Sequence, residues 1–188
     1  MERKGKILIV VDMQKDFITG SLENEMAKKI VPDVINKVKE AYEKGERIIF
    51  TYDTHFDDYL DTIEGKHLPV PHCIYHTEGW KFIRELSNYA SNSIRVKKET
   101  FGSPDVAKCI KTLISSGYEV NEIELIGLCT DICVISNAMV VKAFFPDIPI
   151  TVDARCCAGV TAESHDNAIR AMEACHIDIK NKGTEAWR

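Results

Sequence analysis

Short apolar, β-branched runs alternate with longer segments of helical periodicity along most of the chain. Such runs are typical of strands buried on both faces, and their alternation with helices favours a parallel sheet covered by helices. We expect strands over residues 6–12, 47–53, 93–98, 123–127 and 148–153, and an edge strand over 176–179. The expected helices cover residues 25–43, 80–89, 104–116, 132–144 and 162–174.

This alternation predicts a three-layer α/β/α, Rossmann-like fold with a mainly parallel sheet of five or six strands. We expect residues 1–188 to form it as one domain. The irregular stretch over residues 54–79 is longer than an ordinary connection, which predicts a functional loop. In sheets of this kind, ligands bind outside the carboxyl ends of the strands.

Charge and cysteine content exclude several classes of protein. The net charge of −5 argues against a general binder of nucleic acid or of acidic membranes. The apolar run over residues 7–11 stops at Asp12, so it is too short for a membrane span or a signal-peptide core. Seven cysteines form neither a disulfide framework nor a structural zinc spacing. We therefore expect a cytoplasmic protein with reduced thiols.

Cys133 lies where the predicted strand 123–127 gives way to the predicted helix 132–144. The unpaired N–H groups and the macrodipole of a helix favour a thiolate at its start, and the same N–H groups can hold an oxyanion. The alternative is that Cys133 is simply buried, as free cysteines usually are.

Asp12 and Lys98 stand at the ends of two other predicted strands, so the sheet would bring them to the edge where Cys133 lies. A thiol nucleophile needs a base, and burial would raise the pKa of Asp12 towards the working range. Lys98 would stabilise both the thiolate and the carboxylate, with Lys97 as the alternative if the strand alternates the other way. Any one of these residues could instead serve a structural turn.

Three segments carry a resemblance to a known family: DMQKDF over residues 12–17, KETFGS over 98–103 and GLCTDICV over 127–134. They resemble the three blocks of the isochorismatase-like cysteine hydrolases, the superfamily that includes the nicotinamidases. The blocks occur in the order of that family. The resemblance implies a homo-oligomer, either a dimer or a tetramer.

By this resemblance Asp12 is the base, Lys98 the cation and Cys133 the nucleophile. It also implies a cis peptide bond between Leu128 and Cys129, which would aim the N–H groups of Cys129 and Cys133 at the oxyanion. Two further residues of this turn, Thr130 and Asp131, would then act as capping and positioning groups.

The loop after the second strand holds a second polar group. Asp53-x-His55 resembles the start of the nicotinamidase metal site, His72 resembles its second histidine, and Glu64 lies between them. Two imidazoles and two carboxylates suit Zn²⁺, Mn²⁺ or Fe²⁺. Two other histidines are alternative ligands, His67 and His76. The structural alternative is an ordinary solvated acidic loop.

The chain departs from the nicotinamidase pattern beside these ligands. Thr54 stands where a tryptophan usually follows the aspartate, and His76-Thr77 replaces the usual Gly-Thr. An aromatic wall for a pyridine ring must therefore come from other residues. The candidates are Phe17, Tyr59, Trp80 and Phe101.

These residues together predict a metal-assisted cysteine amidohydrolase that acts on a small-molecule carboxamide. The substrate that we favour is nicotinamide, converted to nicotinate and ammonia through a thioester. Alternatives on the same scaffold are an isochorismatase-type vinyl-ether hydrolase and a hydrolase of ureido or carbamoyl compounds. A thiol redox sensor, with Cys133 as a sensitive site of low pKa, is the non-enzymatic alternative.

Overall fold

The computed structural model describes residues 3–188, and these contain a six-stranded sheet whose strands are all parallel. The strands are β1 (Arg3–Val11), β2 (Arg47–Asp53), β3 (Ile94–Lys98), β4 (Tyr118–Leu128), β5 (Ile150–Ala158) and β6 (Asp178–Lys180). Their order in the sheet is β3-β2-β1-β4-β5-β6, so β1 and β4 lie at its centre. The predicted fold class is confirmed.

Helices cover both faces of this sheet. They are α1 (Lys15–Ile18), α2 (Glu25–Glu43), α3 (Ile63–His67), α4 (Arg84–Ser91), α5 (Pro104–Ser115), α6 (Ile135–Phe144) and α7 (Ala162–Ala174). A short 3₁₀ turn covers Tyr59–Asp61, and a π-helical turn covers Thr130–Val134. None of the helices over the described residues is long and apolar enough to cross a membrane.

The alternation of side chains along β1 builds one core on each face of the sheet. Ile7, Ile9 and Val11 pack with the apolar faces of α5, α6 and α7. Leu8 and Val10 point the other way and pack with α2 and α4. Because both faces are covered, the central strand is apolar at every one of these positions, which explains its continuous hydrophobic run.

The predicted helix over residues 80–89 begins later than expected. Helix α4 starts only at Arg84, because the preceding residues pair with the segment that follows β1. The N–H group of Lys15, for example, donates to the carbonyl oxygen of Lys81 at 2.9 Å. This pairing joins residues far apart in the chain, so the local helical pattern could not indicate it.

Other element ends also differ from the sequence prediction. β4 and β5 extend well beyond residues 123–127 and 148–153, and β6 begins later than residue 176. The start of β4 is rich in charged residues, yet its backbone pairs with β1, as in the Lys6–Glu122 pair. Strand pairing rather than hydrophobicity sets these boundaries. The loop after β2 is not wholly irregular, since it contains the 3₁₀ turn and α3.

A buried ionic network joins α2 to the sheet away from the carboxyl ends of the strands. The fully buried carboxylate of Glu124 forms ion pairs with Lys6, with Lys37 at 3.5 Å and with Lys180 at 3.5 Å. The ammonium group of Lys37 also lies 2.6 Å from Asp153. Burial by itself would lower the pKa of Lys37, but the two carboxylates raise it above the usual value of a lysine, which keeps the group charged.

We expect Lys37→Met to lower the free energy of unfolding by about 3 kcal/mol, because it leaves Asp153 and Glu124 buried with fewer cationic partners. Lys39→Met is the matched control on the same helix. Lys39 forms only an exposed pair with Glu43 at 3.9 Å, so its loss should cost no more than about 0.5 kcal/mol. Urea denaturation measures both values, and equal effects of the two substitutions would contradict the prediction.

Candidate active site

The three residues predicted to act on the substrate meet at the carboxyl edge of the sheet. Asp12 directly follows β1, Lys98 ends β3, and Cys133 lies in the π-helical turn after β4. The Nζ atom of Lys98 lies 2.7 Å from Asp12 Oδ2 and 3.4 Å from Cys133 Sγ. All three side chains are buried. The topology therefore brings together an acid, an ammonium group and a thiol that are remote in sequence.

The backbone conformation of Asp12 directs its carboxylate towards Lys98. Its φ angle is +48°, in the left-handed region that aspartate tolerates better than most residues, so the chain turns sharply after β1. The hydroxyl group of Thr51 donates to Asp12 Oδ1 at 2.7 Å, and Lys98 holds the other oxygen. The two oxygens are therefore held by groups from two different strands.

Burial and neighbouring charges shift the pKa values of Asp12 and Lys98. Burial raises the pKa of Asp12, and the neighbouring charge of Lys98 opposes that shift without cancelling it. Burial alone would lower the pKa of Lys98, but Asp12, Cys133 and Asp53 hold it well above its usual value. A carboxyl group with a raised pKa beside a permanent cation is suited to accept and return a proton.

The pKa of Cys133 differs from the sequence prediction. The start of a helix was expected to favour the thiolate, but burial raises the pKa of the Cys133 thiol well above its usual value. The charge of Lys98 lowers it by less than burial raises it. This direction disfavours the thiolate, so a nucleophilic Cys133 would need a base, and it argues against a sensor with a low pKa.

The turn over Thr130–Val134, here called the nucleophile turn, is held at several points. The peptide bond between Leu128 and Cys129 is cis, as the resemblance implied. The carbonyl oxygen of Cys129 accepts hydrogen bonds from the N–H groups of Ile132 at 3.1 Å and Val134 at 3.0 Å. These bonds close the turn tightly around Cys133.

Asn137, which the sequence analysis did not identify, supports the nucleophile turn from α6. Its fully buried side chain donates to the carbonyl oxygens of Cys133 at 2.8 Å and Phe101 at 3.0 Å. Its Oδ1 atom accepts from the N–H group of Ser103 at 3.1 Å. An amide one helical turn after the cysteine, in a mainly apolar helix, was the available signal.

Gln14 is a second residue that the sequence analysis missed. Its buried amide donates to the carbonyl oxygens of Asp53 at 2.9 Å and Trp80 at 2.8 Å, and accepts from the N–H group of Asp53 at 2.7 Å. It thereby fixes the end of β2 against the segment that follows β1. The signal was its position in the first of the three blocks, two residues after Asp12.

The four predicted metal ligands form one cluster beside the thiol. One ligand atom from each of Asp53, His55, Glu64 and His72 lies within 4.8 Å of the other three. His55 Nε2 lies 3.0 Å from Asp53 Oδ2 and 3.5 Å from Glu64 Oε1. His72 Nε2 lies 3.5 Å and 3.7 Å from the same two oxygens.

These separations fit a divalent ion. Ligand atoms about 2.1 Å from a tetrahedral Zn²⁺ ion are about 3.4 Å apart, which is close to the spacing of this cluster. His72 Nδ1 lies 2.9 Å from the carbonyl oxygen of Val70, which accepts its hydrogen and leaves Nε2 free to bind a metal. Burial would raise the pKa of Asp53, but His55, His72 and Lys98 lower it far below its usual value, so its carboxylate is ionised.

The two alternative histidines are not part of this cluster. His67 Nδ1 donates locally to the carbonyl oxygen of Ile63, at 2.9 Å. His76 packs against Tyr75, with ring centroids 3.7 Å apart, in an aromatic group away from the cluster. The four residues that lie together are therefore the ones that the resemblance implied as metal ligands, and their role stays a prediction.

We expect His72→Ala to weaken Zn²⁺ binding at least about 100-fold, because it removes one imidazole from a four-ligand set. His67→Ala is the matched control, since it removes an imidazole from the same cavity but not from the cluster. Titration calorimetry with the metal-free protein measures both affinities. Equal weakening by the two substitutions would contradict the assignment of the cluster.

The thiol and the cluster open into one cavity of about 1090 Å³. Two of the aromatic residues predicted for its wall, Phe17 and Phe101, line it. Apolar side chains from other elements, Ile132 and Val160, also line it, and Cys133 lies at its inner surface. The cavity therefore has the apolar wall that an aromatic ring would require.

The other two predicted wall residues do not line the cavity, which corrects the sequence prediction. The ring of Tyr59 packs on His55 at a centroid distance of 4.6 Å, and its hydroxyl group donates to the carbonyl oxygen of Leu68 at 2.9 Å. The indole N–H group of Trp80 donates to Thr54 at 2.8 Å. Tyr59 thus packs behind one of the candidate metal ligands, and Thr54, which stands where the family pattern has tryptophan, provides the partner of Trp80.

Comparison with known proteins adds an independent observation. The family model described as the isochorismatase domain matches residues 6–180. A curated relative, the uncharacterized isochorismatase family protein PncA of Bacillus subtilis (strain 168), is 27% identical over 172 residues, covering 85% of this chain and 90% of the relative.

Solved structures show the same fold. The nicotinamidase/pyrazinamidase PncA from Bacillus subtilis matches with a TM-score of 0.79 and 26% identity, covering 94% of this chain and 99% of that one. The pyrazinamidase of Pyrococcus horikoshii in complex with zinc matches with a TM-score of 0.75 and 24% identity, covering 93% and 97%. The likeness therefore extends over nearly the whole of each chain.

Proposed function

Because the chain belongs to the isochorismatase family, we propose that it is a cysteine amidohydrolase that converts nicotinamide to nicotinate and ammonia. One observation carries this proposal: the carboxylate of Asp53 links Lys98, which contacts the thiol of Cys133, to the cluster of candidate metal ligands. Its Oδ1 atom lies 3.0 Å from Lys98 Nζ, and its Oδ2 atom lies 3.0 Å from His55 Nε2. A substrate in the cavity can therefore meet the nucleophile and the cluster together.

In the proposed reaction, Asp12 takes the proton of the Cys133 thiol, and the thiolate attacks the carboxamide carbon. The C–N bond then breaks as Asp12 returns the proton to the leaving nitrogen, which departs as ammonia. A water molecule that Asp12 deprotonates next attacks the thioester, which releases nicotinate and restores the thiol. Lys98 remains charged throughout and holds the carboxylate and the sulfur in place.

The cluster of Asp53, His55, Glu64 and His72 would hold a divalent ion, for which Zn²⁺, Mn²⁺ and Fe²⁺ are the candidates. When bound, such an ion supplies a Lewis acid that can bind the ring nitrogen of a pyridine substrate. The protein's own contribution is to fix the ligands, and the Val70 carbonyl oxygen and the ring of Tyr59 support them from behind.

The charge of the cavity favours a neutral carboxamide over an anionic substrate. No lysine or arginine is among the described residues that line the cavity. The nearby Lys98 is buried and already paired with Asp12 and Asp53. Apart from the ion that the cluster would hold, a substrate carboxylate would therefore leave water without gaining a cationic side chain as its partner, which is costly. This argues against isochorismate and against carbamoyl amino acids.

An ammonia-release assay over a small panel tests the proposal. The panel contains nicotinamide, benzamide as its match without the ring nitrogen, and N-carbamoylsarcosine, each with and without a chelator. Turnover of isochorismate is followed separately. We expect nicotinamide to be hydrolysed fastest, benzamide much more slowly, and the difference between them to vanish on metal removal. Turnover of isochorismate without turnover of any amide would overturn the proposal.

A further inference from the structure

A chain of buried polar groups contacts the nucleophile turn on the side away from the cavity. Thr130, the first residue of that turn, has its Oγ1 atom 2.8 Å from His165 Nδ1. On the other side of the ring, His165 Nε2 lies 3.4 Å from Glu185 Oε1, an ion-pair separation without hydrogen-bond geometry. Thr130 and His165 are fully buried and Glu185 is 3% exposed. We call these three residues the buried relay.

The position of the carboxylate determines how the hydrogens of the buried relay are arranged. A carboxylate beside Nε2 favours the tautomer with its hydrogen on Nε2, because a nitrogen lone pair facing Glu185 would be repelled. The other ring nitrogen, Nδ1, is then an acceptor, and the hydroxyl group of Thr130 donates to it. The order of carboxylate, imidazole and hydroxyl is therefore that of a hydrolytic triad.

The hydroxyl group of Thr130 is nevertheless sealed away from any substrate. Thr130 is fully buried and does not line the cavity that holds Cys133. A second nucleophile is excluded by this burial. What the buried relay can do is hold the nucleophile turn, because Thr130 begins the five-residue segment that contains Cys133.

The segment after β6 anchors the far end of the buried relay. Arg188 forms ion pairs with Glu185 and with Asp166, which follows His165 on α7. The indole N–H group of Trp187 donates to the carbonyl oxygen of Cys157 at 3.1 Å, and its ring meets the ring of His165 edge-on at a centroid distance of 4.9 Å. Arg188 thereby compensates the charge of the buried Glu185 carboxylate. Trp187 fixes the same segment to the sheet.

We propose that Thr130, His165 and Glu185 are positioning residues for the nucleophile, an inference that rests on the proposed function. They hold the nucleophile turn so that Cys133 Sγ stays beside Lys98 Nζ, at 3.4 Å. Apolar side chains of the same size would fill this space without the cost of burying three polar groups. A polar connection has a use here because it specifies the direction of the turn, and small displacements of a reacting group slow catalysis strongly.

Substitution of Thr130 tests the inference with a matched control. Thr130→Val removes the hydroxyl group at nearly constant volume, and Thr130→Ser keeps it. Thr151→Val is the control, since the buried Thr151 also donates its hydroxyl hydrogen, to Glu122 at 2.7 Å, far from the site. We expect Thr130→Val to lower kcat about tenfold with KM within about twofold, while Thr130→Ser and Thr151→Val keep kcat within about threefold.

A second readout does not require turnover. The rate at which iodoacetamide alkylates Cys133, followed by mass spectrometry of its peptide, should fall at least about threefold in Thr130→Val, because a displaced sulfur loses support of its thiolate by Lys98. It should stay within about twofold in Thr151→Val. If the wild-type protein hydrolyses no carboxamide, the proposed function is wrong. The alkylation rate of Cys133 would still show whether the buried relay positions the thiol.

Two variants of His165 keep the inference testable if Thr130→Val does not fold. His165→Asn places an amide oxygen near the position of Nδ1 and can still accept from Thr130, whereas His165→Gln reaches towards Glu185 instead. We expect the asparagine variant to keep the higher kcat and the faster alkylation of Cys133. The inference would be overturned if His165→Gln kept a higher kcat and a faster alkylation than His165→Asn. It would also be overturned if Thr130→Val left kcat and the alkylation rate unchanged.

Discussion

Replacement of Cys133 by alanine is expected to reduce amide hydrolysis by at least about 10⁴-fold, because no other group can form the thioester. The thiol lies 3.4 Å from Lys98 Nζ and at the inner surface of the cavity. The six other cysteines of the chain cannot replace it, since none of them contacts the ammonium group of Lys98. Steady-state ammonia release from nicotinamide measures the loss.

Cys157→Ala is the matched control for this substitution. Cys157 is fully buried in the same apolar core as Cys133 but does not line the cavity, so its removal should leave kcat within about threefold. Zn²⁺ affinity should be unchanged in Cys133→Ala, because the thiol is not a member of the ligand cluster. Retention of more than a tenth of the activity by a folded, metal-binding Cys133→Ala protein would exclude the thioester mechanism.

Asp12→Asn should lower kcat by about 10³-fold, because an amide of the same shape cannot accept the thiol proton. The substitution preserves the shape of the side chain and the hydrogen bond from Thr51 to Oδ1, while Lys98 loses one acceptor and keeps Asp53 as a partner. The rate of thioester formation, measured as a burst of ammonia, should fall together with kcat. An unchanged burst would show that another group removes the proton.

The dependence of kcat/KM on pH gives an independent measure of this base. Asp12 acts in its ionised form, so activity should be lost as the pH falls through its pKa, which burial raises. Thr51→Val removes a hydrogen bond that lowers this pKa, so the acid limb should move to higher pH. Metal is kept saturating at every pH. The residual activity of Asp12→Asn should not show this loss of kcat/KM at low pH.

The layered fold was predictable because its signals are local. Strands that are buried on both faces must be apolar throughout, and the helices between them show the periodicity of one buried stripe. The edge at which Asp12, Lys98 and Cys133 meet followed from the same pattern, because all strands of a parallel sheet point their carboxyl ends to one side. The four candidate metal ligands were implied by the family resemblance, and the structure brings them together.

Other features depend on contacts between distant segments. The late start of α4 reflects pairing with the segment after β1, and the true partners of Tyr59 and Trp80 are a histidine ring and a threonine hydroxyl. The supporting roles of Gln14 and Asn137 likewise appear only when three or more segments are brought together. No spacing in the sequence specifies such contacts.

The sequence by itself determined the layered architecture, the edge of the sheet at which Asp12, Lys98 and Cys133 meet and the identity of the candidate reactive groups, since each is encoded by residue type at a local position. Only the tertiary structure decided the direction in which the pKa of Cys133 shifts, the residues that form the cavity wall and the buried relay behind the nucleophile turn. The physical reason is that desolvation, ion pairing and cavity shape are sums over neighbours from many segments. Those sums exist only once the chain is folded.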